Sequence, residues 1–214
     1  MQAQDSVRTY YSAAIERHGP TPRGVDWQCS ASQQLRFVQL LKVCDFAAPF
    51  SLNDFGCGYG ALLGYLAFRH GDTPIDYRGI DISPNMIEAA RVLWQKSPDV
   101  EFALGAACQR VADYSLASGV FNVRLDCRRK DWEAYVEEVL RHLRESSRRG
   151  FSVNFMRPAR ASTKGLYRSP PERWTTFCTK ELGCSVELVE DYGLREFTLL
   201  ATFPRRRSPG SSGR

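Results

Sequence analysis

The feature that most constrains the fold is the stretch from Leu52 to Gly60, Leu-Asn-Asp-Phe-Gly-Cys-Gly-Tyr-Gly. Its first half predicts a short buried strand that ends in the carboxylate of Asp54, and its second half predicts a turn with glycine at alternate positions. The apolar run 61–68 that follows predicts a helix. A strand, a glycine turn and a helix in this order form a nucleotide-binding loop at the edge of a parallel sheet. The sequence therefore predicts an α/β protein organised around this loop.

The carboxylate ahead of the turn distinguishes between two kinds of ligand. Residues 56–61 also fit the dinucleotide fingerprint G-x-G-x-x-A. A carboxylate two residues before the first glycine would repel a pyrophosphate, whereas it would attract a cationic amino-acid ligand. The pattern Asp54-x-Gly56-x-Gly58-x-Gly60 resembles the first motif of the class I S-adenosylmethionine-dependent methyltransferases. The alternative is an ordinary strand, turn and helix whose glycines serve only the backbone geometry.

The resemblance assigns a cofactor site to three parts of the chain. It implies that the turn holds the methionine part of S-adenosylmethionine. It also implies that Asp81, which ends a strand predicted over 77–82, accepts hydrogen bonds from the ribose hydroxyls. The alternative for Asp81 is to cap the helix predicted over 85–96, for which Ser83 is the predicted N-cap. The residues expected to contact the cofactor are Asp54, Gly56, Cys57, Gly58, Tyr59, Gly60, Asp81, Ile82, Met86, Ser118 and Gly119.

The next two strands carry weaker signals. No acid follows the strand predicted over 100–104, although many family members hold adenine with one there, so adenine is expected to meet backbone, apolar groups or Gln109. The strand predicted over 112–119 resembles the motif that lines the methyl-transfer site through small residues. Phe121 and Asn122 follow it and are predicted to contact substrate; the alternatives are core packing for the phenylalanine and a turn for the asparagine.

The C-terminal part of the chain favours a methyltransferase over a dehydrogenase. An amphipathic helix over 131–148, with His142 on its solvated face, is followed by a fifth strand and by a long loop over 157–173 of the kind that covers a substrate. Strands predicted over 186–190 and 196–201 form a closing hairpin, where a dehydrogenase half would continue with a helix and a parallel strand. We therefore predict a doubly wound, seven-stranded, mostly parallel sheet of Rossmann-like methyltransferase type that ends in an antiparallel hairpin.

Three segments are predicted along the chain. Residues 1–34 form an N-terminal helical cap segment, residues 35–203 form the S-adenosylmethionine-binding domain, and residues 204–214 form a disordered basic tail. Ser30, with Gln33 three positions later, predicts a capping box at the start of the helix that leads into the domain. With 214 residues, one core is the expected number.

The charge and the cysteines limit the partners. The tail carries Arg205, Arg206, Arg207 and Arg214 and no acid, so it accounts for four of the five net positive charges. The nearly neutral body argues against nucleic acid as a partner, although the tail could dock RNA. The seven cysteines form no C-x-x-C pair, so we expect reduced thiols and no metal site. No signal peptide and no membrane-spanning run is found, which predicts a cytoplasmic location.

The resemblance implies an enzyme that transfers the methyl group of S-adenosylmethionine to an acceptor by in-line displacement. We expect a small-molecule acceptor, and the sequence predicts neither a general base nor an oligomeric state. Tyr11 and Trp27 are predicted to contact substrate, with packing as their alternative. The segment 23–27, Arg-Gly-Val-Asp-Trp, also resembles a bacterial subgroup of the family. The remaining alternatives are a catalytically silent cofactor-binding partner protein and a nicotinamide-dependent oxidoreductase.

Overall fold

The computed structural model describes residues 2–97, 100–159 and 163–203, so the predicted basic tail lies outside the described residues. Its centre is one seven-stranded sheet in the order β3-β2-β1-β4-β5-β7-β6, in which only the pairs β5–β7 and β6–β7 are antiparallel. This order confirms the predicted doubly wound sheet with its closing hairpin. The strands are β1 Phe50–Phe55, β2 Ile75–Asp81, β3 Val100–Leu104, β4 Ala112–Ala117, β5 Ser147–Met156, β6 Ser185–Val189 and β7 Glu196–Thr202.

Helices cover both faces of the sheet. One apolar cluster includes Trp132 and Trp174 and lies under the helices of the C-terminal half; the other includes Leu40, Leu62 and Ile87. Burial of these two clusters against the sheet is the main source of stability in a layered α/β protein. The helices are α1 Gln2–His18, α2 Ser30–Leu40, α3 Ala61–Arg69, α4 Pro84–Leu93, α5 Arg129–Glu145 and α6 Pro171–Lys180.

The start of α2 differs from the prediction. Its N-cap is Cys29, and Ser30 is the first helical residue, so the predicted capping box is wrong. The hydroxyl of Ser32 bonds the carbonyl of Cys29 (3.0 Å), and the side chain of Gln33 is buried on the wall of a cavity. By contrast, Ser83 caps α4 as predicted, because its hydroxyl accepts a hydrogen bond from the Met86 N–H (3.3 Å).

Two further predictions are corrected. Strand β4 ends at Ala117 rather than at Gly119, because the backbone of that glycine has φ +72°, which lies outside the β region. His142 is half-buried rather than on the solvated face of α5, since its Nε2 accepts a hydrogen bond from the backbone N–H of Cys108 (2.7 Å). Within the described residues, no helix has the length and apolar character needed to cross a membrane.

Candidate active site

The turn after β1 adopts a conformation that requires glycine. Gly56, Gly58 and Gly60 all have positive φ angles, of +72°, +55° and +81°. Space excludes other residues as well: a Cβ on Gly56 would lie 2.5 Å from the Val120 side chain, and one on Gly58 would lie 2.9 Å from the Val25 side chain. The alternating glycines of the sequence therefore bring backbone to within contact distance of two other loops.

A cavity opens beside this turn, at the carboxyl end of the sheet. Its wall includes nine of the eleven residues predicted to contact the cofactor. The other two lie outside it: Tyr59 packs with Ile15 and Met86, and Gly60 begins α3 against Trp94. The nine predicted residues on the wall are Asp54, Gly56, Cys57, Gly58, Asp81, Ile82, Met86, Ser118 and Gly119.

The carboxylate of Asp54 is the most strongly perturbed acid of the cavity. The side chain is 2% exposed, and its Oδ2 accepts a hydrogen bond from the hydroxyl of Tyr77 (2.6 Å). Burial raises the pKa of Asp54 to about 7, the Tyr77 hydrogen bond opposes the shift, and the nearby charge of Asp81 adds to it. A positively charged ligand in the cavity would relieve this cost by neutralising the carboxylate.

The carboxylate of Asp81 makes the capping contact that the sequence left as the alternative to ribose binding. Its Oδ1 accepts a hydrogen bond from the Ser83 N–H and its Oδ2 accepts one from the Gly58 N–H, both at 2.9 Å. Burial raises the pKa of this acid, and these backbone donors act against that rise. Asp81 therefore caps the start of α4 and links it to the glycine turn, while it also lies on the cavity wall.

The N-terminal segment forms the roof of the cavity. Tyr11, Val25 and Trp27 all line it, together with residues that the sequence did not single out. Hydrogen bonds hold the segment in place: Ser12 to Ser83 through their hydroxyls (2.8 Å), and Asn85 to Glu16 (2.7 Å). The sequence predicts a cap segment here, but its placement over the cavity depends on how α1 packs against α4. The wall residues missed by sequence reasoning include Val7, Val25, Gln33, Phe37 and Tyr135.

A second cavity adjoins the first and shares Tyr11, Val25 and Trp27 with it. Of the two residues predicted after β4, Asn122 lines this second cavity. Phe121 does not: it is fully buried and stacks on Phe155 with ring centroids 5.0 Å apart, as in its packing alternative.

A buried network of hydrogen bonds connects the two cavities. The Gly119 N–H donates to Asn154 Oδ1 (2.7 Å), and Asn154 Nδ2 donates to Glu196 Oε2 (2.7 Å). Arg36 then makes a two-point ion pair with Glu196 (2.8 and 2.5 Å), and its guanidinium lies 3.8 Å from the ring centroid of Trp27. This network positions Trp27 of the roof against the loop after β4. The sequence did not predict the network, because its residues are up to 160 positions apart in the chain.

The candidate proton acceptors on these walls are the carboxylates of Asp54, Asp81, Asp26 and Glu196. The three histidines, at 18, 70 and 142, lie on neither wall. Burial raises the pKa of the Tyr11 phenol and of the Cys57 thiol well above their ordinary values, so both stay protonated near neutral pH. Gln109, one predicted adenine contact, is exposed and also outside both walls, whereas the backbone of Gly105 lines the first cavity.

Together, the sheet order and a cavity lined by a glycine turn and two acids define a Rossmann-like α/β protein with a candidate ligand site at the carboxyl end of its strands. Comparison with known proteins makes the class specific. Residues 53–146 match the model of a methyltransferase domain. Over 163 residues the chain is 44% identical to Rv1506c of Mycobacterium tuberculosis, named as a candidate methyltransferase; the match covers 75% of this chain and 97% of that protein.

The chain belongs to the S-adenosylmethionine-dependent methyltransferase family, and it is an enzyme of that kind with S-adenosylmethionine as its cofactor. This excludes the oxidoreductase alternative. Its fold is also that of the Synechocystis magnesium protoporphyrin IX methyltransferase solved with S-adenosylhomocysteine, with a TM-score of 0.67, 16% identity, and coverage of 94% of this chain and 99% of that one. The complex of DhpI with S-adenosylhomocysteine gives a TM-score of 0.62 at 15% identity, covering 96% and 100%.

The residues of the first cavity suit this cofactor. Gly56 and Gly58 of the turn lie on its wall, and the carboxylates of Asp54 and Asp81 favour a cation. The hydroxyl of Ser118 is buried on the same wall without a hydrogen-bond partner among the described residues, so it is available to a ligand.

Proposed function

We propose that this enzyme methylates a small molecule that binds in the second cavity. The observation that carries the proposal is the shared wall: Tyr11, Val25 and Trp27 line both cavities, so a ligand in each would meet at these residues. The N-terminal segment forms a roof over this junction, and a concave, partly covered site suits a small acceptor.

Within the first cavity, each group of residues has a separate task. The glycine turn and Asp54 hold the amino-acid end of the cofactor, and Asp81 binds the ribose hydroxyls when its backbone hydrogen bonds rearrange. Ser118 and Gly119 leave room at the junction, where Gly119 contacts the indole of Trp27.

The protein contributes mainly alignment and the exclusion of water. When bound, S-adenosylmethionine supplies a methyl group activated by the sulfonium charge, and an acceptor atom takes it in line as the C–S electron pair moves to sulfur. Tyr11, which stays protonated, acts as a hydrogen-bond donor at the junction rather than as a base. The acceptor therefore presents a nucleophile that needs no strong base, and its proton passes to water.

Calorimetric titration with S-adenosylmethionine and S-adenosylhomocysteine tests the cofactor site. Asp81→Asn is expected to weaken both by about 10-fold or more, because a charged hydrogen-bond acceptor is lost. Asp76→Asn on the same strand is the matched control, since Asp76 is exposed and pairs with Arg110 away from the cavity. Failure of the wild type to bind either compound at millimolar concentration would refute the site.

Turnover is tested by release of S-adenosylhomocysteine, followed by mass spectrometry, over a panel of small acceptors. We expect methylation of at least one of them. Tight cofactor binding with no methylation across the panel would instead favour the catalytically silent partner protein.

A further inference from the structure

Two arginines on the wall of the second cavity lack acidic partners. In the part of the chain that the structure describes, neither Arg168 nor Arg195 forms an ion pair, and both line the cavity. The Nε of Arg168 is also buried without a hydrogen-bond partner. A buried guanidinium N–H without a partner carries a desolvation cost, which an anionic ligand would remove.

A third arginine holds these two in position. The side chain of Arg157 is neutralised by Glu190 (3.0 Å) and Asp191 (3.2 Å). Its main chain bonds both neighbours: the carbonyl accepts from Arg168 Nη1 (3.0 Å), and the N–H donates to the Arg195 carbonyl (3.0 Å). The main chain of Arg157 therefore joins the loop after β5 to the turn of the closing hairpin, beside the two arginines that line the cavity.

The charges on the rest of this wall limit the ligand to one negative charge. Arg36 and Glu196 neutralise each other. Asp26 accepts a hydrogen bond from the hydroxyl of Tyr10 (2.9 Å) and is the other acid on the wall. Two free arginines against this one acid leave a net charge of about +1, which favours a carboxylate over a phosphate dianion.

Another part of the wall presents an amide with no partner. Asn122 is 5% exposed, and its Oδ1 is buried without a hydrogen bond in the described residues. Its backbone is held by Gly119 and Tyr167, so the side chain remains free to bind a ligand. A carboxamide both donates and accepts, which suits a hydroxyl or an amino group. Apolar residues also line the cavity: Val25, Trp27, Val123, Met156, Leu166 and Leu194.

We propose that the acceptor is a small organic monocarboxylate with an apolar body and a hydroxyl or amino group. Arg168 and Arg195 bind its carboxylate. Asn122 binds the hydroxyl or amino group, and the oxygen or nitrogen of that group is the atom that is methylated. This inference rests on the proposed function, because it identifies the acceptor of the same reaction. During transfer the oxygen or nitrogen forms a bond to the methyl carbon, the C–S bond breaks with its electrons going to sulfur, and the proton leaves to water.

The test compares acids with their primary amides, which match them in shape and differ in charge. Protein saturated with S-adenosylhomocysteine is titrated with 4-hydroxyphenylacetate, 3-hydroxybenzoate and 4-aminophenylacetate, each beside its amide. We expect at least one acid to bind about 10-fold or more tightly than its amide, as two charge-assisted hydrogen-bonding groups predict. If no acid is favoured over its amide, the proposal is wrong, whereas the prior step of S-adenosylhomocysteine binding tests the proposed function separately.

Variants identify the source of the preference. The double variant Arg168→Gln with Arg195→Gln is expected to abolish the acid preference, and Arg195→Gln alone is expected to reduce it several-fold. Arg195 is exposed, so this single variant is a safe check if the double variant does not fold. Arg173→Gln is the control, because Arg173 pairs with Glu133 on α5 and lies outside the cavity. A preference that survives the double variant would overturn the proposal.

Discussion

Replacing Asp54 by asparagine is expected to stabilise the ligand-free protein while weakening its hold on the cofactor. The side chain is 2% exposed, and burial holds its pKa at about 7 against an ordinary value of 3.8. Above pH 7 the folded protein must therefore carry a buried negative charge that the unfolded chain exposes to water. Asparagine removes the charge and still accepts the hydrogen bond from Tyr77.

The magnitude follows from the shift in pKa. Each unit corresponds to about 1.4 kcal/mol, so the ionised carboxylate lowers the free energy of unfolding by at most about 4 kcal/mol at pH 8. Because its pKa is raised, the folded state binds more protons than the unfolded state between pH 4 and 7, and wild-type stability falls as pH rises through this window. The advantage of Asp54→Asn is therefore expected to grow by about 2–3 kcal/mol between pH 5 and pH 8.

Urea unfolding of both proteins without cofactor at pH 5 and pH 8 measures this difference. Asp113→Asn is the control, because the pKa of Asp113 is shifted in the opposite direction. Burial raises this pKa, but hydrogen bonds from Ser51 and the charges of nearby arginines outweigh burial and leave the pKa lowered. That variant is expected to be less stable than wild type at both pH values, since both of its pKa values lie below 5. An Asp54→Asn advantage that does not depend on pH would refute the assignment of a buried charge.

Cofactor affinity gives the second half of this test. Loss of the carboxylate is expected to weaken S-adenosylmethionine binding at pH 8 by about 10- to 100-fold, which is the range for a hydrogen bond or close contact with a charged group. Isothermal titration at pH 8 measures it directly. Unchanged affinity in a more stable variant would show that Asp54 is only a structural acid of the sheet.

Three further outcomes are expected. Gly119→Ala should lower the free energy of unfolding by about 1–3 kcal/mol more than Gly183→Ala and should weaken S-adenosylhomocysteine binding. Both glycines have positive φ, but only a Cβ at Gly119 would clash with the indole of Trp27, at 2.3 Å. Glu196→Gln should cost about 3–5 kcal/mol in urea unfolding by leaving Arg36 buried and unpaired; a loss under about 1 kcal/mol would contradict this. Deleting residues 204–214 should leave S-adenosylhomocysteine affinity unchanged, and filter binding at 50 and 200 mM salt would detect any RNA docking that the deletion removes.

Local patterns are sufficient for the frame of the fold. Asp54 and the glycines after it predict the β1 turn because positive φ angles and close contacts at Gly56 and Gly58 exclude other residues. The closing hairpin is predictable for a similar reason, since two short apolar strands that are adjacent in sequence and joined by a turn readily pair antiparallel. These signals are local, so the elements can be predicted without knowledge of the rest of the chain.

Local patterns mislead where a distant group competes for a side chain. The position of His142 on α5 predicts a solvent-facing side chain, yet the N–H of Cys108 bonds it. Ser30 has the local spacing of a capping box, but the helix begins one residue after Cys29 and Gln33 turns into the cavity. In each case the outcome depends on a contact that the local pattern does not contain.

The sequence by itself determined the class of protein, the glycine turn and the closing hairpin, because each leaves a local pattern of residues along the chain. Only the tertiary structure decided which side chains close the site. Two contacts join segments far apart in the chain: Trp27 with Gly119, and Arg36 with Glu196. The buried Nε of Arg168, which has no partner in the described residues, is likewise set by tertiary packing. The positions of these side chains follow from the packing of α1 and the C-terminal loops over one edge of the sheet. No periodicity in the sequence predicts that packing.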